Sequence, residues 1–306
     1  FGGQSVAVGL MSQATGLRSV AVGESAKAAD IDAVAFGRGS EANALSSTAV
    51  GDRAKANGTQ AVALASAAEA NGYQAVAVGT RAVAEEINSV ALGVESSSTA
   101  LNGLAAGTRA RVRKSGGTAL GAGAAAFEEK SAALGYKAEA HQQNSVALGT
   151  DSIADTAAGV AGYDFATGGI SAETGKAWMS TLGAVSVGSE KHSRQITNVA
   201  AGTVDTDAVN VAQVKKIAAQ TEIGMGKLKE RADSGSAAAI AVGSLGQAYL
   251  PGQGAVSLAS GIWRGKTGYA LGFSKVSAGG KWLFKGSAVG AAKGGAGGGA
   301  SVTYFW

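Results

Sequence analysis

The sequence contains no cysteine and a single proline among its 306 residues. Without cysteine, the chain can form neither a disulfide framework nor a thiolate metal site. Charged residues make up 16% of the chain, and the net charge of +4 is too small to imply a nucleic-acid partner by itself. No apolar run reaches the ~18 residues that a membrane-spanning helix needs.

Side chains suited to catalysis are also scarce. The two histidines, His141 and His192, have no spaced carboxylates or cysteines around them, which predicts no metal site. Adjacent acids occur at Glu85–Glu86 and Glu128–Glu129. Neighbouring side chains on a strand point in opposite directions, so these pairs suit turns better than acid–base catalysis. We therefore expect no enzyme activity and no cofactor.

Glycine and alanine, by contrast, recur with a strict period of 14 residues. Glycine occupies Gly9, Gly23, Gly37, Gly51, Gly79, Gly93, Gly107, Gly121, Gly135 and Gly149, and Ala65 fills the one gap in that series. An alanine lies two residues before each of these positions. Repeats of this kind indicate a solenoid in which each copy is one coil. Collagen is excluded because its period is three.

Each period has room for two short strands and two tight turns. In the first strand, large apolar residues such as Val76 and Val78 flank the alanine, here Ala77. We expect the flanking residues to fill the interior of the coil and the alanines to form an outer stripe that packs against other copies of the chain. The predicted interface contains Ala7, Ala21, Ala35, Ala49, Ala63, Ala77, Ala91, Ala105, Ala119, Ala133 and Ala147.

The second strand alternates small residues with charge, which predicts one buried and one solvated face. Its densest basic cluster is Arg109, Arg111, Arg113 and Lys114. Equivalent positions in earlier coils hold Arg53 and Arg81. We expect these six residues to point outward and to contact acidic matrix polymers or anionic surfaces. The alternative is an ordinary solvated face.

The repeats span residues 1–154, and the pattern then changes twice. Residues 155–207 are irregular and are expected to form a cap and neck. In 208–235, the 3-4-3-4 spacing of apolar and small residues predicts a short coiled-coil stalk, with Thr206 or Asp207 capping the helix. The predicted seam residues are Val214, Ile217, Thr221 and Leu228. A helix of small residues is expected to continue over 236–250, up to Pro251.

The remaining residues read as four strands at 254–264, 266–276, 280–289 and 298–306, with a flexible turn at 294–299. Large and small residues alternate along them, as in membrane barrels. Lys285 lies on the small-residue face and is expected to point into the barrel lumen. Four strands cannot close a barrel, and open edges are not tolerated in lipid. Three copies would supply twelve strands and leave room for helices.

This order resembles the trimeric autotransporter adhesins of Gram-negative bacteria. The SVAVG and SVALG repeats are similar to the family's head repeats, RQITNVAAGTVDTDAVNVAQV (194–214) to its neck, and QAYLPGQGAVSLASGIWRGKTGYALGFSKVS (247–277) to its anchor. The resemblance implies a mainly β protein. It would have a trimeric left-handed parallel β-roll head, a short coiled-coil stalk and a 12-stranded transmembrane β-barrel at 236–306, with four strands from each chain.

For function, the resemblance implies a homotrimer in outer-membrane lipid that exports and anchors itself there, with its head exposed on the cell surface. It further implies attachment to host matrix proteins or cells, autoaggregation and biofilm formation. One alternative is a self-transporting anchor whose adhesive parts lie upstream. Another is a polysaccharide-active solenoid enzyme, which would need clustered acids on the solvated face; the sequence shows none there.

Overall fold

The computed structural model describes residues 2–306, which form two compact units that divide after Asn198. The first unit is a β-solenoid in which every coil contributes one three-residue strand and one two-residue strand. Strands stack in parallel, and each residue pairs with the residue 14 positions later, as in Val76↔Val90 and Ala77↔Ala91. The period found in the sequence is therefore the length of one coil.

The three-residue strands form one sheet and the two-residue strands form another. The first sheet contains β1 (Val6–Val8), β3 (Val20–Val22), β5 (Val34–Phe36), β7 (Thr48–Val50), β9 (Val62–Leu64), β11 (Val76–Val78), β13 (Val90–Leu92), β15 (Leu104–Ala106), β17 (Thr118–Leu120), β19 (Ala132–Leu134), β21 (Val146–Leu148) and, at its end, β25 (Val185–Ser186). The second contains β2 (Gln13–Ala14), β4 (Lys27–Ala28), β6 (Glu41–Ala42), β8 (Lys55–Ala56), β10 (Glu69–Ala70), β12 (Val83–Ala84), β14 (Ser97–Ser98), β16 (Arg111–Val112), β18 (Ala125–Ala126), β20 (Glu139–Ala140) and β22 (Ile153–Ala154).

The repeated glycine turns the chain out of each three-residue strand. Gly79, for example, has φ +135°, a conformation that side chains disfavour. A Cβ atom at Gly79 would also lie 2.5 Å from the backbone carbon of Gly93 in the next coil. The turn thus needs glycine both for its dihedral angle and for the close stacking of coils.

The alanine prediction is wrong about direction. The repeated alanines from Ala21 to Ala147 are fully buried inside a single chain, and Ala7 is half-buried against the same core. The flanking residues point outward instead: Val8 is 56% exposed and Phe36 55%. The coil is too thin for two valines, because its interior is shared with the alanines of the second sheet and with buried serines and alanines before each strand. These alanines therefore cannot be the interface between copies.

We call the residues that flank each alanine in the three-residue strands the outer apolar face. Both sides of this strand are apolar, as the sequence indicates, but the small side is the core. Alanine and serine fill the interior because two sheets this close leave no space for longer side chains.

The rest of the first unit follows the last coil. A hairpin of β23 (Tyr163–Asp164) and β24 (Gly169–Ile170) projects from it, and β25 then returns to pair with β21. The Arg194 guanidinium donates hydrogen bonds to Ser152 Oγ and to the carbonyl oxygens of Val187 and Thr150. Arg194 therefore satisfies groups that have no further coil to pair with.

The second unit begins with the neck and a single helix, α1 (Val211–Gly243). The helix starts later than expected, because Asn210 rather than Thr206 or Asp207 is the N-cap and forms a capping box with Gln213. It also ends earlier, at Gly243, so residues 244–250 are not helical. Among residues 2–306, no helix has the length and apolar character needed to cross a membrane.

Four antiparallel strands complete this unit: β26 (Gly254–Trp263), β27 (Lys266–Val276), β28 (Trp282–Ala291) and β29 (Gly295–Tyr304). The glycines at 295–299 belong to β29 and not to a flexible turn, since they pair in register with the end of β28. Helix α1 packs on glycines of the sheet: a Cβ atom at Gly268 would lie 2.5 Å from Ala238 Cα.

Candidate functional site

The basic cluster is built around strand β16. Val112 is buried, and the alternation of the strand sends Arg111 and Arg113 outward, where both are exposed. Arg109 lies before the strand, in a turn with φ +58°, rather than within the strand. Lys114 is exposed in the following turn. The four predicted residues therefore lie together on the solvated side of the second sheet.

The core beneath the arginines departs from the other coils. Val112 is the largest fully buried side chain, at a position where most coils carry alanine. Space for it comes from Gly103 and Gly117, where other coils have serine or alanine; a Cβ atom at these glycines would lie 2.9 and 2.8 Å from Val112 Cγ1. The larger residue and the two glycines thus compensate each other in size.

Carboxylates neutralise the arginines that recur in one column of coils. Arg109 Nε lies 2.9 Å from Glu95, and Arg81 contacts the same carboxylate. Arg53 Nε lies 3.1 Å from Asp52. The hydrogen bond from Arg109, followed by the charge of Arg81, holds the pKa of Glu95 below its usual value. These three arginines are exposed, as expected, but each shares its carboxylate with a second arginine, so their positive charge is only partly offset within the chain.

The other basic side chains of the cluster, and Lys137 near it, have no carboxylate partner in the described part of the chain and can interact with an external anion. Among the salt bridges of residues 2–306, none involves Arg111, Arg113, Lys114 or Lys137. Arg113 instead lies 4.8 Å from the centre of the Phe127 ring, one coil further on. The positive charge without a carboxylate partner thus lies on Arg111, Arg113 and Lys114, and on Lys137 in the column of Arg109.

An aromatic stack continues from Arg113. The rings of Phe127 and His141 stack with their centroids 4.7 Å apart, and His141 Nε2 lies 2.9 Å from Glu139. Lys137 Nζ lies 5.1 Å from the centre of the Tyr136 ring. Sequence reasoning missed Phe127, Tyr136 and Glu139 as neighbours of the cluster. Phe127 follows Arg113 by 14 residues and Glu139 follows Arg111 by 28, so the period would have revealed these two; Tyr136 lies in the neighbouring column of Thr108.

A notch opens between the long side chains. Gly123 lies between Arg109 and Lys137 in one column of coils, and Ala125 lies between Arg111 and Glu139 in the ladder of the second sheet. The missing side chains leave a cavity of about 350 Å³. Its lining consists of Thr108, Arg109, Arg111, Ala122, Gly123, Tyr136, Lys137 and Glu139. We call this cavity the basic notch.

A second cavity, of about 630 Å³, lies at the end of the solenoid between β22 and residues 184–194. Its lining includes His192 and Arg194, but Arg194 is engaged in capping the last coil. Within residues 2–306, no cluster of three or more His, Asp or Glu side chains has the arrangement of a metal site.

The remaining predicted residues lie in the second unit. The helix residues Val214, Ile217 and Leu228 are 54–63% exposed on a single chain, and Thr221 is exposed beside them. Lys285 pairs with Ser274 across β27 and β28. Ser274 is buried beneath Ala248, so Lys285 lies on the side of the sheet that faces the helix. Their roles as coiled-coil seam and lumen residue stay predictions.

Three family models match successive parts of the chain. The "YadA head domain repeat (2 copies)" matches 2–23, 14–40, 42–64, 70–96 and 128–152. The "coiled stalk of trimeric autotransporter adhesin" matches 195–237, and the "YadA-like membrane anchor domain" matches 246–306. Most residues that line the basic notch lie in the segment between two of the head matches, 70–96 and 128–152.

The curated relatives that match are also named autotransporter adhesins. The chain is 43% identical over 125 residues to the autotransporter adhesin NhhA of Neisseria meningitidis serogroup B, over 40% of this chain and 21% of that protein. It is 55% identical over 69 residues to the autotransporter adhesin BadA of Bartonella henselae, over 22% of this chain and 2% of that protein. The chain thus spans only about a fifth of NhhA.

Among the solved structures that match is the collagen-binding domain of the Yersinia adhesin YadA. It is 28% identical and covers 71% of this chain and 98% of its own, with a TM-score of 0.35. That score is too low for a comparison of folds.

Proposed function

The chain belongs to the trimeric autotransporter adhesins, and we propose that three copies form one outer-membrane adhesin whose head attaches the bacterium to acidic surfaces of the host matrix or cells. The observation that carries the proposal is the succession of head, stalk and anchor in one chain. The head and the anchor each have a surface that a single chain leaves incomplete.

In the head, the outer apolar face calls for other copies. It runs along all 11 coils, and at ~4.8 Å per coil its length is about 50 Å. Val8, Phe36 and Leu148 on this face are 47–56% exposed in one chain. An apolar patch of that length is unusual on a monomer and typical of an interface. We therefore assign the interface between copies to this face, in place of the alanines.

In the anchor, both edges of the four-stranded sheet are open. One side of β27 exposes Tyr269, Leu271 and Phe273, while the other side is small and covered by α1. Large residues outside and small ones inside suit a barrel in lipid, where every edge must be paired. Three copies supply twelve strands and leave a lumen for three helices. Export of the head through this barrel, and Lys285 lining the lumen, are parts of the same proposal.

The adhesive surface is the solvated side of the second sheet. There Arg111, Arg113 and Lys114 stay without carboxylate partners and repeat three times around the trimer. Attraction between this charge and acidic matrix polymers is long-ranged and weakens as salt screens it. Autoaggregation and biofilm formation would follow from the same exposed heads.

A second candidate function is that of an anchor and scaffold. The relatives are several times longer than the region that matches, so adhesive modules can lie outside it. Display of the full chain on a non-adherent Gram-negative strain separates the two candidates. Adhesion to collagen, fibronectin or laminin above that of empty-vector cells supports the adhesin. Surface display without any adhesion or aggregation leaves the anchor function alone.

A further inference from the structure

We propose that the basic notch binds an anionic sugar unit of an acidic polysaccharide, with Arg111 and Lys137 holding the anion and Glu139 accepting a hydroxyl. The inference deepens the proposed function by giving the adhesive surface one defined subsite and one ligand class. It starts from the shape of the surface. Gly123 and Ala125 interrupt two columns that carry long side chains on both sides, so a recess exists where the neighbouring coils are filled.

The walls of the notch carry positive charge that no carboxylate of the chain neutralises. Arg111 and Lys137 have no carboxylate partner among the described residues, whereas Arg109 at the rim is paired with Glu95. The stem of Lys137 passes over Gly123, where an added Cβ atom would lie 3.2 Å from Lys137 Cγ. This packing holds the lysine at the edge of the recess. Arg109 and Lys137 occupy one column two coils apart, which is about 10 Å.

A carboxylate in the middle of a basic wall indicates a ligand that carries hydroxyl groups. Glu139 lines the notch and lies 2.9 Å from His141 Nε2, so it is fixed in place. Its remaining lone pairs can accept from a sugar hydroxyl. A phosphodiester chain offers few donors and would be repelled at this point, so the arrangement favours a polysaccharide over a nucleic acid.

The aromatic residues point the same way. Binding of single-stranded nucleic acid relies on open ring faces on which bases stack. Here Arg113 and His141 cover the two faces of Phe127, and Lys137 lies over Tyr136. The Phe127 ring therefore offers no open face, and Lys137 covers one face of Tyr136. Recognition would come from charge and hydroxyl contacts.

The test measures binding of the full-length chain in detergent to a sulfated heparin oligosaccharide, to hyaluronan, and to a single-stranded DNA of equal charge. Arg111→Ser removes one charge-assisted contact and should weaken oligosaccharide binding about tenfold or more. Ala122→Tyr fills the recess with a residue that Tyr136 shows to be acceptable one coil later, and should do the same. Lys27→Ser is the matched control, because it removes a charge from the same column six coils earlier.

Loss in Arg111→Ser and Ala122→Tyr with unchanged affinity in Lys27→Ser supports the proposal. The stronger ligand of the two polysaccharides then identifies sulfate or carboxylate as the anion. Equal losses in Arg111→Ser and Lys27→Ser, with unchanged affinity in Ala122→Tyr, would mean diffuse charge and overturn it. Tighter binding of DNA, further strengthened by Glu139→Gln, would also overturn it. If cells that display the chain adhere and the notch variants adhere equally well, the notch inference fails while the proposed adhesin function stands.

Discussion

The compensated packing around Val112 gives a prediction that can be worked through from the structure. In most other coils the position five residues after this core residue is a serine or an alanine, as Ser131 is after Ala126, but Val112 is followed by Gly117. Val112→Ala removes two carbon atoms from a fully buried side chain. At about 0.8 kcal/mol per buried carbon, with a cavity left behind, local stability should fall by about 2 kcal/mol or more.

Adding a side chain at Gly117, next to Val112, should also destabilise the coil. In Gly117→Ser, the new Cβ atom would lie 2.8 Å from Val112 Cγ1, and overpacking of this kind costs about 1–3 kcal/mol. The double variant Val112→Ala/Gly117→Ser recreates the pair found in other coils. Its hydroxyl can donate to the Lys114 carbonyl oxygen, as Ser131 Oγ donates to Glu128 O at 2.7 Å. The double variant should therefore be close to the parent in stability.

Hydrogen–deuterium exchange of peptides covering 97–127 in the full-length chain measures the local opening free energy. We expect faster exchange in both single variants and near-parent exchange in the double variant, which corresponds to a coupling energy of more than about 1 kcal/mol. If the two effects simply add, the valine and the glycines do not share one space, and the packing account is wrong.

Three further predictions concern the ends of the structural elements. Arg194→Ala should speed exchange in the last coil, because each lost charge-assisted bond costs about 1.5–3 kcal/mol; unchanged exchange would contradict the capping role. Gly268→Val should disrupt folding of the anchor in detergent by clashing with α1, whereas Gly279→Ala, in open space, should not; tolerance of both changes would argue against this packing. Hydrogen bonds from the Thr203 and Val204 amides lower the pKa of Asp207, so the neck should be stabilised above the ordinary aspartate range and lose this stability as pH falls through the lowered pKa. Proteolysis of the neck against pH measures this, and Asp207→Asn should remove the dependence.

The period of 14 residues was enough to predict the solenoid, because the pairing of each residue with its equivalent one coil later follows directly from it. The four C-terminal strands were also predictable, since Tyr269, Leu271 and Phe273 alternate with small residues. The side of the three-residue strand on which the alanines are buried could not be predicted. A strand that is apolar on both sides has no polar face to orient it, and only the spacing between the two sheets decides which side is inside.

The candidate site was predictable in part. Alternation correctly placed Arg111 and Arg113 on the solvated face. The pairing of Arg109 with Glu95 depends on which coils are neighbours, so it follows from the period only when residues 14 apart are compared. The notch exists because Gly123 and Ala125 lack long side chains. Two small residues do not stand out in a sequence that is rich in glycine and alanine, so the notch could not be predicted.

The measurement closest to the central claim is the reactivity of single cysteines in the full-length chain, which has none of its own. Leu92 on the outer apolar face is 38% exposed in one chain, Ala91 beside it is buried, and Lys27 is exposed on the opposite sheet. If the outer apolar face packs between copies, a polar maleimide should modify Lys27→Cys rapidly and leave Leu92→Cys and Ala91→Cys unmodified until the assembly is denatured. Modification of Leu92→Cys at the rate of Lys27→Cys in the native protein would contradict the assembly of three chains through this face.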